Sequence, residues 1–589
     1  MAGTLPRKII LAATLALLPA PALAACSVAQ IAAFKVTMNG LSPTIETRIN
    51  GKDARFIVDS GAFYSFISPG SATELGLHLS AAPDGYYVSG VGGKAKIKIA
   101  TVSEFGLAGA SIKDIQFIVG GSEFGATGLL GQNVLGYADV EYDFAQGDVR
   151  LMRSKDCAHS HLAYWHGDKP WSTLETLPRT PLEPHTVAWV TLNGARIRAL
   201  FDTGAPVTML SLAAAARAGI TPDSPGVVDA GESSGIGRRV VRTWIAPFAS
   251  LKLGDDEQIQ RIKLRIGRLE QGPIDMLIGA DFFLSHRVYV DNRQNRMFIT
   301  FNGGKVFDLS VQESAAATAS VGTTPAAATG GPAPSDADGF ARRAAALAAR
   351  RQYAQAIADY GRAIALAPGD ARYPLQRALA RLGSGDHDAA GADLDLAVKL
   401  DPAAVDARIA RAGYHARDDD HAPSRADADA ADRVLAPSAD RRYELADIYG
   451  AIDAFDAAVA QYDLWIRAHP DDSRRGETLN GRCWTRAEAG RELDKALDDC
   501  NAALRLRPGA ADILDSRGLV QLRLGNLDRA IADYDAALAR NPDMAWSHYG
   551  RGLAKQRKGL KDEGAADLAA AVKLDAKLPE RARKLGVAP

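Results

Sequence analysis

Two hydrophobic rhythms divide the chain. As far as about residue 311 the apolar positions fall in short, glycine-punctuated β-type runs, whereas from about residue 340 Ala and Leu recur at helical spacing among Arg and Asp. Between them lies QESAAATASVGTTPAAATGGPAPSDADG, residues 312–339. It has almost no large apolar side chain, cannot bury a core, and reads as a flexible linker. A third pattern opens the chain, where Arg7 and Lys8 precede the apolar run IILAATLALL and the small residues PALAAC. A charged head, a short apolar centre and a small-residue end have the form of a secretory signal, too short to span a bilayer. The mature protein is therefore expected to be exported and soluble.

The helical part repeats itself. Pro368, Pro402, Pro437, Pro470, Pro508 and Pro542, with Ala576 last in the same place, are separated by 34, 35, 33, 38, 34 and 34 residues. A small residue precedes an aromatic in Ala356/Tyr360, Ala458/Tyr462 and Ala530/Tyr534, and Gly518 and Gly552 fall where two helices would cross. The unit around HARDDDHAPSRADADAAD is degenerate. Period and signature together resemble the tetratricopeptide family over residues 339–580, in about seven units. The resemblance implies an all-α superhelix whose groove binds a protein or peptide.

The β-patterned part is a duplication. FIVDSGAFYSFIS at 56–68 raises the question of why an aspartate stands where a strand should enter a core, and ALFDTGAPVTMLS at 199–211 repeats it. Each copy has an Asn-Gly hairpin signal upstream, at Asn50-Gly51 and Asn193-Gly194. Downstream, VSGVGGKAKI matches SSGIGRRVVR, and GLLGQNVL matches MLIGADFF. Asp59 to Asp202, Gly90 to Gly235 and Gly131 to Gly279 are separated by 143, 145 and 148 residues, an ordered and nearly constant offset.

Each half resembles a retropepsin-like aspartic protease domain, whose pattern is Asp-Thr/Ser-Gly-Ala, a glycine-rich flap, then an aliphatic-aliphatic-Gly segment. The resemblance implies two tandem β-barrel lobes at 31–155 and 175–310, joined by a connector at 156–174, after a signal at 1–24 and before a linker at 311–338. It implies that Asp59 and Asp202 form one catalytic pair within a single chain, since hydrolysis needs one carboxyl to take a proton from water and another to give one to the carbonyl oxygen. Gly61 and Gly204 would permit the tight turns, and Ser60 and Thr203 would hydrogen-bond across the interface. Gly90, Gly92 and Gly93 in one lobe and Gly235 and Gly237 in the other would form flaps over an extended polypeptide. Ala62 and Ala205 stand where many pepsin-like enzymes have a hydroxyl, which implies a raised carboxyl pKa and a less acidic optimum.

The four cysteines, Cys26, Cys157, Cys483 and Cys500, suit two disulfides in an oxidising compartment, the periplasm of a bacterial envelope. Cys26 also closes a box resembling a lipidation site, which would leave Cys157 without a partner. CAHSHLAYWH crowds Cys157, His159, His161 and His166 together at no recognised zinc spacing, so no metal or cofactor is expected. A net charge of -1 gives no reason to expect nucleic acid as a partner. Two functions fit: an exported aspartic endopeptidase with a recruiting array, or an inactive protease-like scaffold of the envelope in which the array does the binding.

Overall fold

In the computed structural model, residues 26–307 and 334–588 are described, apart from 84, 159, 181–182, 234, 236–238 and 270–271. The signal segment and linker residues 311–333 lie outside the described residues. Ahead of the linker the chain is built of strands with short helices, and after it of helices alone.

In each lobe the Asn-Gly dipeptide turns a hairpin. Ser42–Ile49 pairs with Lys52–Val58, Ile49 opposite Lys52, and Val187–Leu192 pairs with Ala195–Phe201, Leu192 opposite Ala195. Asn50, Gly51, Asn193 and Gly194 have φ of 51°, 79°, 47° and 83°. Asparagine and glycine tolerate that left-handed backbone best, which fixes the register of the strand that follows. Those second strands lie parallel to Gly128–Leu130 and Met276–Ile278. Both of the latter are wholly buried, so an unbroken apolar run suits them better than alternation. Gly131 and Gly279 then cap the short helices Gln132–Leu135 and Ala280–Phe283.

A shared sheet fixes the lobes relative to each other. Asp139–Asp143 of the first lobe pairs antiparallel with His286–Asp291 of the second, Val140 opposite Val290. Six strands therefore run continuously from Ser172–Glu175, at the end of the connector, through the second lobe to Ser27–Asn39 in the first. Tyr142 meets Phe283 edge-on at 5.3 Å across the junction, and Arg287 reaches the buried Glu141 at 2.6 Å. A Cys26–Cys157 disulfide ties the start of the first strand to the connector, leaving no thiol at Cys26 for a lipid.

Seven helix pairs follow, from Ala337–Ala349 with Tyr353–Leu366 to Ala545–Arg557 with Lys561–Leu574, then the short Leu578–Lys584. The degenerate unit still forms its pair, Val405–Arg417 with His421–Asp432. Gly518, expected where two helices cross, does lie at a close approach, because Tyr534 fills the space a Cβ there would need. Cys483 and Cys500, both fully buried, are bridged. The array is docked on the lobes: Ala345 and Ala346 join their main apolar core, and Arg350 donates to the Gly303 carbonyl.

Candidate active site

Both aspartates stand where a buried strand ends in a turn. The glycine of each turn abuts the opposite lobe, so a Cβ on Gly61 would collide with the Asp202 carboxylate and one on Gly204 with that of Asp59. Glycine is required by proximity alone. Beneath them Ser60 and Thr203 interlock. The Ser60 amide donates to Thr203 Oγ1 at 2.9 Å and the Thr203 amide to Ser60 Oγ at 3.0 Å. Each hydroxyl donates onward across the interface, Ser60 to the Phe201 carbonyl at 2.8 Å and Thr203 to that of Val58 at 2.7 Å.

Each carboxyl thus sits against the turn that carries the other, close enough for the charge of Asp202 to act on Asp59. Asp59 Oδ1 accepts from the amides of Gly61 and Ala62 at 2.9 and 2.8 Å, and Asp202 Oδ1 from those of Gly204 and Ala205 at 3.0 and 3.1 Å. Burial pushes both above the ordinary carboxylate range, and at Asp59 the neighbouring Asp202 charge acts in the same direction. Such a pair holds one proton between two buried oxygens, which lets it accept and donate in a single step.

Support comes from residues that the sequence reading did not single out. Ser65 and Thr208 each stand six places after an aspartate, and Asn133 and Asp281 each two places after the capping glycine. Ser65 donates through its amide and hydroxyl to Asn133 Oδ1, both at 2.8 Å, and Thr208 does the same to Asp281 at 3.0 and 2.7 Å. Their hydroxyls accept from the amides of Gly131 and Gly279, which joins the aliphatic-Gly segments to the aspartate loops. The shared offset was the signal. Gln132 has no such twin, since Ala280 stands in its place; it donates to the Ser60 carbonyl at 2.7 Å and is held by Arg179 at 2.9 Å.

The glycine-rich tips meet over the cleft. Gly90 pairs with Gly93 in a hairpin, and the Arg239 amide donates to the Gly92 carbonyl at 3.0 Å. Gly235 lies against Val91, and Gly237 falls outside the described residues. Of the histidine-rich run, Cys157 is bridged, His161 stacks on Trp171 at 5.0 Å, and His159 is outside the described residues. The cleft has a volume of about 1210 Å³, and its lining includes Asp59, Asp202, Ile57, Phe66, Leu129, Leu200 and Leu277 of the lobes. The array contributes Asp440, Glu444, Ser473 and Arg474.

Residues 45–137 match the family model described as "gag-polyprotein putative aspartyl protease", and 188–282 the one described as "Aspartyl protease". Residues 522–559 match the TPR repeat model. The chain thus carries two tandem aspartyl protease-like domains followed by tetratricopeptide repeats. No curated protein matches it. Similar solved structures include a tetratricopeptide repeat protein from Parabacteroides merdae, at 13% identity over 43% of this chain and 98% of that one, TM-score 0.35. The APC/C hetero-tetramer Cut9-Hcn1 has 15% identity over 42% and 48%, TM-score 0.33. YrrB, described as a TPR protein with an unusual peptide-binding site, has 16% identity over 38% and 96%, TM-score 0.21.

Proposed function

We propose that the chain is an exported aspartic endopeptidase whose two lobes supply Asp59 and Asp202 to one catalytic pair, with the array recruiting protein to it. The observation that carries this reading is the convergence of the two carboxyls on one cleft, each against the other lobe's turn glycine and each braced by main-chain amides. In the proposed step the ionised carboxyl takes a proton from water, the water oxygen attacks the scissile carbonyl carbon, and the protonated carboxyl gives its proton to the carbonyl oxygen. In the collapse the first carboxyl gives its proton to the leaving nitrogen, the C–N bond breaks, and the second carboxyl takes back a hydroxyl proton as the carbonyl re-forms, which restores the pair. The flap tips would close over the substrate and exclude water.

One chain is sufficient for such a site, since the cross-lobe sheet and the Ser60/Thr203 interlock join lobes of a single polypeptide. Export to an oxidising compartment, the bacterial periplasm, is supported by the Cys26–Cys157 and Cys483–Cys500 bridges.

The test is incubation of the mature protein with an unfolded polypeptide over a pH series, beside Asp59→Asn, Asp202→Asn and a pepstatin-type inhibitor. Cleavage is expected to be lost in both variants and to be inhibitor-sensitive. Cleavage that survives either substitution rules out a shared pair.

A further inference from the structure

Three features place the array inside the cleft as well as beside it. First, successive inter-unit turns of the array grip both banks. The Glu123 amide, on the first lobe's loop beside the cleft, donates to Asp472 at 2.7 Å, and the Ser473 amide donates to Ser122 at 3.3 Å. On the other bank Arg507 pairs at 2.6 Å with Glu232, on the strand Val228–Ser233 that leads into the second flap. Second, one cavity is lined both by Asp59 and Asp202 and by Asp440, Glu444 and Arg474. Third, its lining mixes apolar side chains of the lobes, such as Ile57, Phe66 and Leu277, with charged ones from the lobes, Glu183, Arg198, Glu232 and Arg265 among them, and from the array.

The sign of the array's charged wall follows from its pairings. Arg474 is held by Asp440 at 2.5 Å and by Asp472 at 3.3 Å, and lies 5.2 Å over the Trp465 ring. Arg441 is divided between Glu444 at 2.8 Å and Asp406 at 2.6 Å. Two guanidiniums thus serve four carboxylates. Arg474 is fixed and neutralised, whereas Glu444, which lines the cavity with about half its side chain exposed (52%), shares its one guanidinium with Asp406.

We infer that this wall is a subsite for a lysine or arginine side chain of the polypeptide substrate, with Glu444 selecting it. The inference rests on the hydrolase reading above. A long cationic side chain suits such a lining, its methylenes lying along apolar side chains while its charged head reaches the carboxylate. The array is then a specificity element of the same site. An acidic side chain in that position meets the Glu444 carboxylate, whose single guanidinium is shared with Asp406, and is rejected.

Binding tests this apart from hydrolysis. Full-length protein carrying Asp202→Asn is titrated with fluorescein-labelled peptides of Ala, Leu and Phe that bear a single Lys or Glu, moved along the sequence, with anisotropy as readout. At one position the Lys peptide is expected to bind more tightly than its Glu twin by about five- to tenfold, the strength of a partly desolvated ion pair. Glu444→Gln should shrink that ratio and Glu444→Lys should invert it; Glu444 is half exposed, so neither substitution disturbs the array's core. Equal binding of the twins at every position overturns the subsite, as does a Lys preference that survives Glu444→Lys. Failure of the unsubstituted protein to cut any polypeptide would instead refute the hydrolase reading and leave the charge preference measurable.

Discussion

Beneath the two aspartates, the supporting acceptors differ chemically: the first lobe uses the amide of Asn133 and the second the carboxyl of Asp281. Burial raises Asp281 from its ordinary value of 3.8 to about 6. Because the folded pKa lies above the unfolded one, the folded state favours the protonated form. The stability it contributes is complete below about pH 4 and is lost as pH rises through about 6. Asp281→Asn, which copies the first lobe, is therefore expected to stabilise by about 1–3 kcal/mol at pH 7 and to add nothing at pH 4. Calorimetric unfolding at the two pH values checks this, and an equal shift at both contradicts it. The raised pair of Asp59 and Asp202 argues similarly for activity: its singly protonated form persists to higher pH, so the rate is expected to peak above about pH 4. A maximum well below that contradicts the absence of a charge-stabilising hydroxyl at Ala62 and Ala205. The positions of both aspartates, Ser60, Thr203 and the turn glycines were readable because duplication marks them twice. Asn133 and Asp281 were equally duplicated but look like ordinary first-turn residues of a helix, and Gln132 with Arg179 occurs once, so nothing in a single sequence sets it apart.

Among the helices, a second repeated device emerges that the period alone did not expose. Arg343–Asp359, Arg377–Asp393, Arg411–Asp427, Arg517–Asp533 and Arg551–Asp567 are two-pronged pairs, each spanning 16 residues and joining the two helices of one unit. The aspartates are buried, so each needs its arginine. Arg517→Met should strand Asp533 and destabilise the array by about 2–4 kcal/mol, less than a fully buried pair because Arg517 is partly exposed. Adding Asp533→Leu should recover most of the loss, since the desolvated charge disappears with its partner. Urea unfolding followed by helical circular dichroism distinguishes the two, and a double variant as unstable as the single one argues that the pair does more than satisfy its own burial. The 34-residue rhythm was legible from prolines and aromatics. The pairs were not, because charged residues in an amphipathic helix read as its solvent face, and only the packing of the two helices turns them inward.

At the scale of the whole molecule the linker misleads. Its composition suggests two modules joined by a tether, yet the first array helix, Ala337–Ala349, packs on the strand Ser27–Asn39 and puts Ala345 and Ala346 into the same apolar core as Phe34, Phe144 and Phe307. Composition reports what a segment cannot bury, and says nothing about whether the elements at its ends meet. Contacts such as Glu123 with Asp472, separated by 349 residues, leave no local trace that periodicity or turn chemistry could detect. It follows that the lobes should not be self-sufficient at the linker's near edge. A chain ending at residue 310 is expected to unfold roughly 5 °C below one ending at 368, which keeps the first helix pair, because the core face under Ala345 and Ala346 is left open to water. Differential scanning fluorimetry of the two truncations, both retaining Cys26 and Cys157, measures this. Equal melting temperatures would mean that the helix merely rests on the lobes, and the array would then be held only by its grip on the two banks of the cleft.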